Sequence, residues 1–385
     1  MIRIAFEISD SSTLPRTRSG LILFSFIVLF LLAPCAACRK RPAPPQPYLA
    51  FVANHRSDSV ATVNLATLRI KALIPVSQGP AQIVARPRTR ELYVLTDSGT
   101  VSVIVYPELR VTRSLRVGSS ARHLVFSADG RQAYVLDPAE KQVVFLDCEA
   151  GKDPVRLKLG TAPENLVLTP DGKTLVISDS AQNCLYFLSA ESGKLLGKVG
   201  VGKGPGPLVA LPYGAKVFVA DTQEEKITAV ETTTQQILSH IEIGSKPTAL
   251  LMKPDGGEIF VLSGSGSSMT IVDAFHDDVE QILPAGREPA AEVMNRSGNL
   301  LYVANAGDGS IMTIDVQNRV VLASTQAGTE PRALALTPDE RFLAVADRAA
   351  GSLAIMRTNP PALITTIPVG AEPVDAVVPG WVDER

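Results

Sequence analysis

A segment reading apolar-Gly-x-x-Pro recurs along this chain at a nearly fixed interval, and that interval restricts the fold more than any other feature. It appears as Leu159-Gly160-Thr161-Ala162-Pro163, Val201-Gly202-Lys203-Gly204-Pro205, Ile243-Gly244-Ser245-Lys246-Pro247, Ala327-Gly328-Thr329-Glu330-Pro331 and Val369-Gly370-Ala371-Glu372-Pro373. The anchor position falls at Pro80, Ala121, Pro163, Pro205, Pro247, Pro289, Pro331 and Pro373, at one interval of 41 residues and then six of 42. Each unit reads as strand, turn and further strands. A short apolar strand such as Ala333 to Leu336 precedes a Thr-Pro-Asp-Gly turn (Thr169 to Gly172), where proline presets φ and glycine takes the left-handed position. A second strand is continuously apolar, as in Leu300 to Ala304, which implies burial on both faces. A third strand (Ile311 to Ile314) and a fourth (Val320 to Ala327) lead back to the next anchor. No unit carries a periodic stretch of helical length, so helical solenoids are excluded.

Four short strands per 42 residues predict an all-β chain folded as a single β-propeller. Seven units lie between the anchors. Tyr48 to Val76 supplies strands two to four of another unit, and Val374 to Val378 supplies only a first strand. The two fragments complement each other, and Tyr48 to Asp383 is 336 residues, eight periods of 42. The expectation is eight four-stranded blades closed by a C-terminal strand, with seven blades as the alternative. An open ring would leave two apolar sheet faces in water.

The units resemble the YVTN-type bacterial propeller repeats in Leu301-Tyr302-Val303-Ala304-Asn305, Phe51-Val52-Ala53-Asn54, Thr169-Pro170-Asp171-Gly172 and the Val-Gly-x-x-Pro anchors. The resemblance covers about residues 48 to 383 and speaks to architecture, not chemistry. Seven blades are commoner in that family. A WD-type reading lacks its Gly-His and Trp-Asp pairs.

Ahead of the repeats, Leu21 to Ala33 is a 13-residue apolar run behind Arg16 and Arg18, followed by Pro34-Cys35-Ala36-Ala37-Cys38. A basic flank, a short apolar core and small residues before a cleavage point describe a secretory signal. The ending resembles the lipobox of bacterial lipoproteins, which implies lipidation at Cys38. The departure is Cys35, where that family has Leu. The expected organisation is a signal over residues 1–38, a basic, proline-rich tether over 39–47 and the ring over 48–385. An uncleaved N-terminal anchor is the other reading. By resemblance, Arg39 after the lipidated cysteine implies the outer membrane or periplasmic face of a bacterial envelope.

Charge separates the same two regions. The whole chain is nearly neutral, at −2. With the six Lys/Arg and two acids before residue 48 set aside, the ring holds 31 basic against 37 acidic residues. A net of −6 argues against nucleic-acid binding.

Candidate chemistry is sparse. Asn54, Asp97, Asp137, Asp179, Asp221, Asn305 and Asp347, with Ser263 in the eighth place, end the second strands. They form either a carboxylate crown for a cation or a set of turn caps. Recurrence in nearly every blade favours caps, since a site needs asymmetry. Function belongs where the repeats differ, just after the anchors at the channel mouth. There Gln82, Arg122, His123, Glu164, Asn165, Arg332 and Asp375 are polar where other units have Ala290-Ala291 or Thr248-Ala249. The alternative makes them solvated loop residues of no consequence.

The four histidines (His55, His123, His240 and His276) occupy four different repeat positions and form no metal spacing. No phosphate loop, Ser-His-Asp set or haem-attachment motif is present, and no cofactor is expected. Cys148 and Cys184 lie too far apart in the frame for a bridge, so two free thiols are expected. The reading is a monomeric, non-enzymatic, membrane-tethered binding or scaffold module of the envelope, with a protein or glycan as partner. The alternative is a lactonase-type enzyme using Arg122, Glu164 and Asp375, or a haem-related function using His123. A quinoprotein propeller conflicts with the lone Trp381.

Overall fold

The computed structural model describes residues 47–149, 153–159, 161, 163–381 and 383; the expected signal, Cys38 and nearly all of the tether lie outside them. Among the described residues, thirty-two strands form eight four-stranded antiparallel sheets. The eight-bladed expectation holds, and the seven-bladed alternative does not. Blades 1 to 7 begin with the inner strands Pro80–Ala85, Leu124–Phe126, Pro163–Leu168, Pro205–Ala210, Ala249–Met252, Pro289–Met294 and Pro331–Leu336. Blade 8 joins the C-terminal strand Pro373–Val377 to Leu49–Asn54, Ser59–Asn64 and Arg69–Pro75.

Closure is built from both ends of the chain. Phe51 pairs with Val377, Val52 with Ala376 and Ala53 with Asp375. The tail beyond that strand adds a clamp. Trp381 packs edge-on against Phe51 (centroids 5.8 Å) and stacks on Tyr106 of blade 1 (5.7 Å). Asp383 then accepts Asn64 Nδ2 at 3.0 Å and pairs with Lys71. The single tryptophan is therefore a closure residue.

Between blades, side chains follow a strict alternation set by the pleat. Counting from the anchor, the fourth residue of each inner strand faces the next blade, as Val84 and Val209 do. The third and fifth face the previous one, as Leu166 and Leu168 do. The second strands are buried along nearly their whole length, matching their continuous apolarity. Each fully buried Val or Leu contributes about 1.5–3 kcal/mol, and the seams hold many.

The Asx set is a set of pins. Asp347 accepts the amides of Thr329, Glu330 and Ala350; Asp137 accepts those of Ser119, Ser120 and Glu140; Asn305 accepts Gly286 N. Each holds the connector entering its own blade. This also explains the recurring glycine: a Cβ at Gly118, Gly202, Gly286 or Gly328 would collide with Asp137, Asp221, Asn305 or Asp347. At Gly244, whose blade has the shorter Ser263 in the pin position, a Cβ would meet nothing within 4 Å.

One member of the set was misplaced by the sequence frame. The second strand of blade 1 ends at Thr96, which is fully buried, and Asp97 stands one residue beyond it in the turn. Counted from its anchor, the pin position is Thr96, 16 residues after Pro80 as Asp137 is after Ala121, and Thr96 caps by bonding Thr100 O at 3.0 Å. Cys148 and Cys184 are buried free thiols, as the frame predicts.

Candidate functional site

The two residues after each anchor have different destinations because a bulge separates them. In blades 1, 3, 6 and 7 the pairing slips between the anchor and the second residue beyond it, at Pro80/Gln82, Pro163/Asn165, Pro289/Ala291 and Pro331/Ala333. The extra residue is unpaired, and a bulge re-aims its side chain. Glu164 and Arg332 are thus exposed at the mouth, as Arg122 is. Gln82, His123, Asn165 and Asp375 are half-buried on the inner wall of the ring.

Those four belong to consecutive blades 8, 1, 2 and 3, and three of them serve the inner-strand edge. An innermost strand has unpaired amides facing the channel. Asp375 Oδ2 accepts Ile83 N of blade 1 at 2.8 Å, and Gln82 Oε1 accepts Leu124 N of blade 2 at 3.0 Å. Asn165 Oδ1 accepts its neighbour Leu166 N at 2.8 Å. Burial pushes the Asp375 carboxyl up to about 6, against the pull of the Ile83 and Ala376 amides. Burial pushes the His123 imidazole below its ordinary value; Arg122 adds to this and Glu164 opposes it. His123 is accordingly held neutral. Blades 4 to 7 carry Pro207, Ala249, Ala291 and Ala333 at the same position.

At the mouth, the exposed residues join an arc of alternating charge across blades 7, 8, 1 and 2. Arg332 Nη2 bonds Glu330 at 2.7 Å, and Glu330 lies 3.7 Å from Arg348. Arg348 Nε bonds Glu372 at 2.8 Å, and Arg56 reaches the same carboxylate at 2.9 Å. His55 Nε2 lies 2.9 Å from Asp97, whose other oxygen is 3.9 Å from Arg122. Arg122 and Arg332 are therefore the two ends of one network. A cavity of about 590 Å³ opens within it, lined by Arg56, Glu330, Arg348 and Glu372 over a floor of Ala349, Ala350 and Gly351.

The arrangement brings Arg122, His123 and Glu164 into one electrostatic neighbourhood but does not bring Arg122, Glu164 and Asp375 together. Those three make no hydrogen bond with one another. Glu164 instead accepts the Ser180 hydroxyl at 2.7 Å. Among the described residues there is no group of three His, Cys, Asp or Glu able to hold a metal ion. The other histidines bond Asp97, Thr228 and Asp273 through one ring nitrogen each.

Sequence reading missed the arc because Glu330, Arg348, Glu372, Arg56 and His55 lie before anchors or in second turns, while only positions after anchors were compared. It also missed Glu292. That residue stands third after its anchor, where the other blades have Ile83, Leu124, Leu166, Leu208, Leu250, Leu334 and Ala376. Extending the comparison by one position would have found it.

The family described as "Lactonase, 7-bladed beta-propeller" matches residues 267–363, a segment from the end of blade 5 into blade 7. No curated protein matches the chain. Among solved structures, the chain is similar to dihydro-heme d1 dehydrogenase NirN in complex with DHE, at 15% identity and TM-score 0.74, over 90% of this chain and 79% of that one. It is similar to apo AztD from Citrobacter koseri at 16% identity and TM-score 0.68, over 86% and 98% of the two chains. It is also similar to Kuenenia stuttgartiensis hydrazine synthase at 19% identity and TM-score 0.58, over 72% and 97%. At these identities the likeness is one of fold.

Proposed function

We propose that this propeller is an exported, membrane-tethered binding or scaffold module of the bacterial envelope. It catalyses nothing itself and docks a protein or glycan at the charged half of its channel mouth. The observation that carries this reading is the arc from Arg332 to Arg122, with an open cavity of about 590 Å³ among its blade 7 and 8 members. Alternating charges on four blades match a partner's polar groups and set its register more than its affinity. The residues that a lactonase would need, Arg122, Glu164 and Asp375, are committed to different partners. The tether and lipidation at Cys38 complete the proposal, which places the ring at the outer membrane or periplasmic face as a monomer.

A second reading, lactonase-type or haem-related, is supported by the matched family segment and by the fold likeness to NirN. In the haem version, His123, held neutral and half-buried on the inner wall, would be the ligand.

The test places a photo-crosslinking residue at position 122 in envelope membranes. A discrete adduct, competed by soluble ring and lost in the triple variant Arg56→Glu, Arg332→Glu, Arg348→Glu, is the expected result. An adduct indifferent to charge reversal would overturn the docking site. Stoichiometric haem absorption in protein purified from its host, or hydrolysis of lactones, would establish the second reading. Palmitate labelling that survives Cys38→Ser would remove the lipid anchor.

A further inference from the structure

The inner wall of blades 4 to 7 is lined by small residues, Pro207, Ala249, Ala291 and Ala333, with a single carboxyl among them. Glu292 occupies the seam between blades 5 and 6, where Ala249 and Leu251 from one side meet Met294 from the other. The residue is half-buried, yet both carboxylate oxygens are buried and neither has a hydrogen-bond partner. A buried polar group without a partner destabilises the fold, and five blades use Leu here without that penalty. In the seams of blades 8 and 1 a side chain two residues after the anchor accepts the neighbour's edge amide. Ala249 holds that place beside Glu292 and has no acceptor to offer. The Glu292 carboxyl thus lacks a hydrogen-bond donor, and the position beside it carries a small apolar side chain.

We propose that Glu292 anchors a binding site on this channel wall for a small organic ammonium ligand, a primary amine whose N–H donors satisfy the carboxyl and whose carbon chain lies along the alanine-lined wall. The proposal goes beyond the docking function, since Glu292 belongs to blade 6 and the charged arc to blades 7, 8, 1 and 2.

Burial alone holds the free carboxyl well above the usual carboxylate range. The titratable or charged groups on the strands packed around it are remote or engaged. Glu258, at the far end of its strand, pairs with Lys253 and Arg319. Tyr302 faces the seam between blades 6 and 7, and Arg332 is exposed at the mouth. The free protein therefore keeps the neutral acid to higher pH than an ordinary carboxyl does. Binding an ammonium converts it to carboxylate, so one proton leaves for solvent, no other bond changes, and affinity rises with pH until the free acid ionises.

The experiment titrates the ring with n-butylamine and putrescine, using n-butanol as the uncharged control, and follows binding calorimetrically in buffers of different ionisation enthalpy. Expected are saturable binding of an amine but not the alcohol, release of about one proton, and affinity at least tenfold weaker in Glu292→Gln. Glu292→Leu, which restores the residue of five other blades, is expected to fold with a raised Tm and to abolish amine binding. Absence of binding by either amine, binding without proton release, or binding retained by Glu292→Leu would each overturn the proposal.

Discussion

The two halves of the ring differ most at the inner wall. Blades 8, 1, 2 and 3 place Asp375, Gln82, His123 and Asn165 on the inner wall, where Asp375 and Gln82 cap the next blade's strand and Asn165 caps its own. Blades 4 to 7 place Pro or Ala there. The buried second strands are alike in both, and each half has one departure among its pins, Thr96 in blade 1 and Ser263 in blade 5. The difference teaches that this fold is specified by its outer layers, which leaves the innermost residues free to diverge.

The largest test of that separation is closure, which blade 8 performs. Deleting residues 373–385 removes the inner strand, the Trp381 clamp and the Asp383 contacts. Loss of the cooperative thermal transition is expected, because two apolar sheet faces become exposed. A deletion variant that melts at the wild-type temperature would show that the ring does not depend on its C-terminal strand.

The pins come next and should ignore the two halves. Asp137 of blade 2 and Asp347 of blade 7 each accept three backbone amides. Asp137→Ala and Asp347→Ala should each cost ~3 kcal/mol by urea denaturation, since buried donors lose a charged acceptor. Equal costs support a common scaffold. A cost confined to one half would mean that the halves differ below the inner wall as well.

The sequence disclosed the scaffold because periodicity and burial share a cause. A residue buried between two blades must be apolar in every unit, and a pinned connector must carry glycine wherever Asp or Asn packs on it. Eight copies make such rules visible. The site was partly visible for the opposite reason. Arg122, His123, Glu164 and Asp375 stood out as departures from the repeat, but departures do not say where a side chain points. The bulge that sends Glu164 outward and Asn165 onto the inner wall has no residue type of its own. The arc from Arg332 to Arg122 joins residues from four units, and no single unit shows it. Asp97 falls outside the set because its blade carries Thr96 at the pin position, and an Asx residue one place further on takes the eye.

The polar half should also respond to pH. Asp375 has a folded value of about 6, above the ~3.9 of an unfolded Asp. The native state therefore binds more protons between these values. The associated stability is present in full below about pH 4 and is lost as pH rises through 6. The loss should be ~3 kcal/mol. Asp375→Asn should flatten that part of the stability profile by one proton's slope, read from urea midpoints between pH 4 and 7. Unchanged slope in the variant would place the titration elsewhere, and Glu292→Leu would then be the next profile to compare.

The smallest stability effect belongs to the arc, and its smallness is informative. Arg348 is 43% exposed on its side chain and shares Glu372 with Arg56, which is 78% exposed. Such pairs contribute about 0–1 kcal/mol and weaken with salt. Arg348→Gln should therefore shift the urea midpoint little and leave the ring folded. If the arc existed to hold blades 7 and 8 together, the same change would cost several kcal/mol, because Arg348 and Glu372 bridge that seam. A large cost would make the arc part of the scaffold and leave the inner wall as the main difference between the halves. A small cost with lost crosslinking at position 122 would assign the arc to recognition, since the scaffold beneath it holds without those charges.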